Sequence, residues 1–177
     1  FQLLLYRTCV NEEDHIALVK GQPAQQESVL VRVHSQCLTG DVFGSDRCDC
    51  GLQVEAALRE MEKEGHGVLV YMRQEGRGIG LSSKIHAYEL QDRGLDTVEA
   101  NHELGFSSDD RDYGAAAKIL EDIGVTRARL MTNNPRKVSG LEEHGIKIVE
   151  RIPLVFPATA HNERYLKTKK EKLGHLL

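Results

Sequence analysis

The chain has 177 residues, 40% of them hydrophobic and 28% charged, with a formal net charge of −4 and a pI near 6.1. That is enough chain for one domain with a real core, and the acidic balance argues against nucleic-acid affinity through a basic surface while leaving room for a local basic pocket. No apolar run approaches the roughly 20 residues of a membrane helix, and the opening Phe1-Gln2-Leu3-Leu4-Leu5 lacks the basic flank of a secretory signal. The expected setting is therefore cytoplasmic, with no membrane partner. The chain starts without a methionine and reads as one that lacks its native start.

Two short apolar runs, Leu3 to Tyr6 and Ile16 to Val19, flank the polar Asn11-Glu12-Glu13-Asp14 and predict a hairpin or two strands with a loop. Gly21 to Glu27, with Pro23, reads as a loop. Val29-Leu30-Val31-Arg32-Val33 is a strand by its β-branched content. It delivers the stretch from His34 to Gly51, H-S-Q-C-L-T-G-D-V-F-G-S-D-R-C-D-C-G, which holds three of the four cysteines as C-x10-C-x-C. Thiolates are soft ligands that favour zinc. Three of them with no obvious fourth fit a catalytic site that keeps one position for water, whereas His34 as a fourth ligand would close the site. Small buried thiols are the alternative. A zinc-type cluster reads as intracellular rather than as a disulfide framework, and Cys9 stands apart. Leu38 to Asp49, with Gly40 and Gly44, reads as a loop.

Gly51 to Lys63 is a helix, with Val54, Ala57, Leu58 and Met61 on one face, Asp49 a plausible cap and Gly65 its end. Cys48 and Cys50 then lie at the positive end of its dipole, which favours thiolates. Gly67-Val68-Leu69-Val70-Tyr71-Met72 is a nearly continuous apolar run, expected of a strand covered on both faces. Arg73-Gln74-Glu75-Gly76-Arg77-Gly78-Ile79-Gly80 follows. A glycine-rich turn between strand and helix is either a phosphate cradle or only a tight turn. A helix from about Leu81 to Asp92 should present Leu81, Ile85 and Tyr88 on one side. Thr97 to Leu104 reads as a short strand and a turn.

Ser107 to Asp112 is polar, and Ser108 or Asp109 could cap the helix whose face is Ala116, Ile119, Leu120 and Ile123. Arg127 to Thr132 is a strand, and Pro135 starts a helix to Glu143. Arg136 and Lys137 beside that helix start are either solvated charges or an anion site. Lys147 to Pro153 is the last strand. Asn162 to Leu173 is a basic helix whose Lys167, Lys169, Lys170 and Lys172 read as a solvated face. Alternating strands and helices predict an α/β fold, three-layer α/β/α with a mixed, largely parallel sheet. The residues of interest collect at strand exits, where such sheets bind ligands. No repeat or linker is present, so residues 1–177 read as one domain.

Taken together, H-S-Q-C-L-T-G-D, R-C-D-C-G, R-Q-E-G-R-G-I-G-L, D-T-V-E-A-N, D-D-R-D-Y, L-M-T-N-N-P-R-K and the closing R-Y-L-K-T-K-K-E-K-L-G-H-L-L resemble GTP cyclohydrolase II over about Asp14 to Leu177. Gln36 stands where that family usually has Glu, and the N-terminus looks shorter than the family's. The resemblance implies a homodimer that opens the imidazole ring of GTP. Formate and pyrophosphate are released, leaving 2,5-diamino-6-ribosylamino-4(3H)-pyrimidinone 5′-phosphate, the first committed step of riboflavin synthesis. It implies Zn2+ on Cys37, Cys48 and Cys50 with water in the fourth position, and Mg2+ with the triphosphate. By resemblance Arg32, Val33, His34, Ser35, Gln36, Gln53, Glu75, Gly76, Arg77, Thr97, Thr132 and Lys137 bind the nucleotide. Glu75 is suited to accept hydrogen bonds from guanine N1 and the 2-amino group. Asp109 and Arg111 match the family's proton acceptor and nucleophile, although an arginine ordinarily stays protonated and stabilises transition-state charge. Tyr88 matches a tyrosine of the deformylation chemistry, or is a packed aromatic. The family module is fused in some organisms to a domain making dihydroxybutanone phosphate, so the chain fits a piece of such a protein. A zinc-stabilised GTP-binding module without turnover, and a cyclohydrolase that stops at a formamide, are the other readings.

Overall fold

The computed structural model describes residues 1–8 and 13–177. In chain order the elements are β1 (Gln2–Arg7), β2 (Asp14–Lys20), β3 (Val29–Ser35), α1 (Leu38–Asp41), α2 (Cys50–Glu64), β4 (Gly67–Met72), α3 (Gly80–Asp92), α4 (Thr97–Glu103), α5 (Gly114–Asp122), β5 (Arg127–Met131), α6 (Pro135–Glu142), β6 (Lys147–Ile152) and α7 (Glu163–Leu173). They fall into two compact units. The first comprises Phe1–His34, Gln53–Arg73 and Asp112–Leu154, the second Ser35–Leu52, Gln74–Arg111 and Val155–Leu177. No described helix is long and apolar enough to cross a membrane.

The first unit is built on a six-stranded sheet of order β1-β2-β4-β3-β5-β6. β1 with β2 and β2 with β4 pair antiparallel, while β3 with β5 and β5 with β6 pair parallel. The sheet is mixed, as the alternation of elements predicts. The alternation of side chains along β3 places the helices. Val29, Val31 and Val33 join Val68, Val70 and Met72 of β4 in one core with Ala116, Ile119 and Leu120 of α5 and Leu141 of α6. Leu30, Arg32 and His34 point to the other face, where Arg32 reaches Gln53 of α2. Helices therefore cover both faces, and β4 is buried along nearly its whole length. A Cβ on Gly67 would lie 2.4 Å from Met61 Cγ, so glycine is what lets α2 come this close.

The paired β1 and β2 match the expected hairpin; Cys9 and the Asn11-Glu12 part of its turn lie outside the described residues. Pro135 opens α6, and the Asn134 side chain accepts the Arg136 N–H as its cap.

The second unit departs from the sequence reading in four places. Leu38–Asp41 is a short helix inside the expected loop. On α3 the buried residues are Lys84 and Ala87, whereas Leu81 and Ile85 are each 41% exposed. A charged residue occupies the inner face there, so hydrophobic periodicity pointed the wrong way. Thr97–Glu103 is helix α4, not strand and turn. Asp96 accepts the N–H groups of Val98 and Glu99, and the Glu99 carboxylate accepts the Asp96 N–H, a capping box that outweighs the β-branched Thr97 and Val98. Last, α7 is not wholly solvated: Lys169 is 5% exposed and paired with Asp49 at 3.0 Å, while Lys172 pairs with Asp96 and Glu99.

Asp96 gives a test of this unit. Burial works to raise its pKa, but the hydrogen bonds from Lys172 and from the Glu99 and Val98 N–H groups outweigh that and hold the carboxyl below its ordinary value. A depressed folded-state pKa stabilises above the unfolded value of about 3.9 and loses that contribution as pH falls through the folded value. Asp96→Ala is expected to cost about 1 kcal/mol near neutral pH, read by urea unfolding, with the deficit narrowing below about pH 4. A deficit independent of pH would contradict the charged cap.

Candidate active site

Strand β3 runs into the cysteine loop, and α2 begins at Cys50. In the second unit Cys37, Cys48 and Cys50 gather their sulfurs within 4.8 Å of one another, with Cys37 Sγ 3.6 Å from Cys48 Sγ. All three are free thiols. Gly40 of α1 makes the room, since a Cβ there would lie 2.8 Å from Cys48 Sγ and 3.2 Å from Cys37 Sγ. Hydrogen bonds from Cys48 and Cys50 pull the Cys37 thiol far below the usual range. The same sharing pushes Cys48 up to about 11 and Cys50 well above the ordinary thiol value. Sharing thus favours the thiolate at Cys37 and the thiol at Cys48 and Cys50. A divalent soft-metal ion is the chemical species that releases the remaining protons and satisfies all three. The donor set fits zinc. His34, the possible fourth ligand, is buried in the first unit, stacked on Tyr71 at 5.5 Å with Nδ1 3.4 Å from Arg32 Nη2.

Lys84 Nζ donates to Cys37 Sγ at 3.2 Å, to Thr39 Oγ1 at 3.0 Å and to Glu75 Oε1 at 2.8 Å. Burial opposes its charge, but the Glu75 hydrogen bond and the Cys37 thiolate push its pKa above the ordinary value. Glu75, 7% exposed, also accepts the Gly76 N–H at 3.0 Å and the Leu38 N–H at 2.7 Å. It thus ties the glycine loop to the residue after Cys37. Tyr88 is half-buried, its hydroxyl 3.3 Å from Thr39 Oγ1 and its ring near Arg47 and Lys84. Burial raises its pKa.

Gly76, Arg77, Gly78 and Gly80 all have positive φ. Arg77, at φ 65, is the one non-glycine residue in that region among the described residues. Its Nη1 donates to Thr97 Oγ1 at 2.9 Å, and its guanidinium lies over the Tyr165 ring. Arg77 Nη2 is buried with no partner among the described residues. The loop meets the D-D-R motif directly: the Asp110 N–H donates to Arg77 O at 3.1 Å, and a Cβ on Gly78 would press on Asp110 at 3.2 Å. Asp109 does not cap α5, whose cap residue is Tyr113 without a side-chain bond, and neither does Ser108. Asp109 instead holds Arg111 in a two-point ion pair, 2.7 Å from Nε to Oδ1 and 2.6 Å from Nη2 to Oδ2. Arg111 Nη1 also reaches Ser35 Oγ at 3.4 Å. Gln36, beside Ser35, is partly exposed.

In the first unit a second buried polar group sits at the ends of β3 and β5. Arg32 donates to Met131 O at 2.9 Å and Gln53 Oε1 at 2.5 Å. Lys137 Nζ donates to Val33 O at 2.7 Å, so it is buried, whereas its neighbour Arg136 is exposed. Thr132 accepts the Asn134 N–H, and Asn134 Nδ2 is buried without a partner among the described residues.

The sequence reading missed Lys84, Thr39, Gly40 and the Lys169–Asp49 pair. Asp49 lies between two of the cysteines, yet its partner is 120 residues away. For Lys84 a signal exists: Gly80, Lys84, Ala87 and Tyr88 fall at the spacing of one helix face, with the lysine in the middle.

Comparison with known proteins agrees with this arrangement of motifs. Residues 1–153 match the family model for GTP cyclohydrolase II. The riboflavin biosynthesis protein RibBA of Bacillus cytotoxicus is 59% identical over all 177 residues, which cover 45% of that protein. RibBA of Chlorobium phaeovibrioides is also 59% identical, with 43% of its length covered. The chain thus spans less than half the length of these curated relatives. The model match and this identity establish that the chain belongs to the GTP cyclohydrolase II family.

Proposed function

We propose that the chain carries out the GTP cyclohydrolase II reaction of riboflavin biosynthesis. It would open the imidazole ring of GTP and release formate and pyrophosphate to give 2,5-diamino-6-ribosylamino-4(3H)-pyrimidinone 5′-phosphate. The observation that carries this reading is the three-thiol cluster, sterically reserved by Gly40, in a chain of this family. Zn2+ held by Cys37, Cys48 and Cys50 would supply the Lewis acidity that turns water into a nucleophile for C8 near neutral pH.

The other steps fall to the chain's own groups. Arg77, with a buried donor to spare, suits an anionic ligand. Arg32, Val33, His34, Ser35, Gln36, Gln53, Glu75, Gly76, Thr97, Thr132 and Lys137 complete the proposed nucleotide contacts. Tyr88 is the proposed proton-transfer group for loss of formate. A guanidinium gripped at two points by Asp109 remains a cation, which supports charge stabilisation at the α-phosphate as the role of Arg111. Nucleophilic attack by Arg111 would first require its deprotonation. Mg2+ would accompany the triphosphate. We place the enzyme in the cytoplasm as a homodimer whose residues 1–177 act as one catalytic module.

A mass-resolved assay with GTP, Zn2+ and Mg2+ should yield formate, pyrophosphate and the pyrimidinone in equal amounts; binding of GTP without its consumption would overturn the proposal. Cys48→Ser is expected to lose zinc retention and formate release together. Gly40→Ala should keep its helical signal in circular dichroism yet bind zinc at least about tenfold more weakly. Arg111→Ala should slow pyrophosphate release by about 100-fold or more, and normal turnover of that variant would remove Arg111 from the chemistry.

A further inference from the structure

Lys84 has no role in the nucleotide contacts proposed above, yet it is 7% exposed and points at a cysteine sulfur. An ammonium carries three protons, and three acceptors meet them: Cys37 Sγ, Thr39 Oγ1 and Glu75 Oε1. None is left over for substrate or solvent, so Lys84 is built as a fixed charge and not as an acid. The charge count explains the need for it. Three thiolates around a divalent ion leave one surplus negative charge, and Glu75 adds another in the same buried region. Uncompensated charge in such a place is costly. Lys84 touches both anionic groups at once. A compact ammonium with three donors meets the three acceptors at once.

We propose that Lys84 is a positioning residue of the metal centre, whose ammonium compensates the surplus charge of the three thiolates and sets the donor strength of Cys37. A hydrogen bond from an ammonium draws electron density from the sulfur, so Cys37 gives less to the metal and leaves it a stronger Lewis acid. The same ammonium holds Glu75, which holds the Leu38 N–H, and so fixes the backbone beside Cys37. The inference rests on the metal reading and deepens it.

Cobalt(II) is the probe, loaded into the full chain in place of zinc, with far-UV circular dichroism reporting the fold. The native chain should show thiolate-to-cobalt charge-transfer bands. In Lys84→Gln the bands should move to lower energy and Co2+ affinity should fall about tenfold or more, whereas Lys84→Arg, which keeps the charge, should stay within about threefold of native. Native bands and affinity in Lys84→Gln, or equal losses in both variants, would overturn the role of the charge. Absence of charge-transfer bands in the native chain would overturn the metal reading instead. A measurement without variants covers the case of misfolding. In the native chain labelled with 15N-lysine, one ammonium resonance should shift and broaden when Zn2+ is replaced by Co2+. A set of lysine resonances indifferent to the paramagnetic ion would refute the proposal by itself.

Discussion

Three sulfurs within 4.8 Å of one another cannot all be anionic without positive charge among them. The second unit is arranged around that constraint. A short helix carries Gly40 instead of any residue with a Cβ, and so admits the sulfurs. Two buried lysines from distant parts of the chain bond residues of the cysteine loop. Lys84 bonds a cysteine directly, and Lys169 neutralises Asp49 between the other two. Each of these pairs is costly to bury and would be more costly to break, since removal of one partner strands the other.

The glycine loop bears a different cost. Arg77 adopts a backbone conformation that side chains disfavour, at about 1 kcal/mol or more, and keeps a buried donor without an acceptor among the described residues. Two penalties in one residue rarely persist without a function that uses them. Thr97 and Tyr165 hold the guanidinium in place, so a ligand of the kind proposed for Arg77 would meet a side chain already ordered, at a smaller entropic cost of binding.

The core was legible because it obeys simple periods. β3 and β4 are runs of β-branched and aliphatic residues, and α5 repeats its apolar face every three or four positions. Legibility failed where charge replaced hydrophobicity inside. The inner face of α3 centres on a lysine, so its exposed Leu81 and Ile85 looked like the core side. α4 begins with Thr-Val, which reads as strand unless the capping box is weighed first. The cysteines and the D-D-R motif stood out because their residue types are rare in that spacing. Lys84 and Lys169 did not, because a lysine on a helix usually faces water; only the face that Lys84 shares with Gly80, Ala87 and Tyr88 points the other way. No local pattern encodes a partner 47 or 120 residues away.

The bond between Lys169 and Asp49 also sets an order of events during synthesis. The cysteine loop leaves the ribosome before α7, with its aspartate still without Lys169. Its counter-charge is encoded on α7 and emerges only after the whole sheet of the first unit has been made. Until then the loop lacks one of its two lysine partners. The ion pair at Asp49 therefore cannot form before the strands on either side of the loop have left the ribosome.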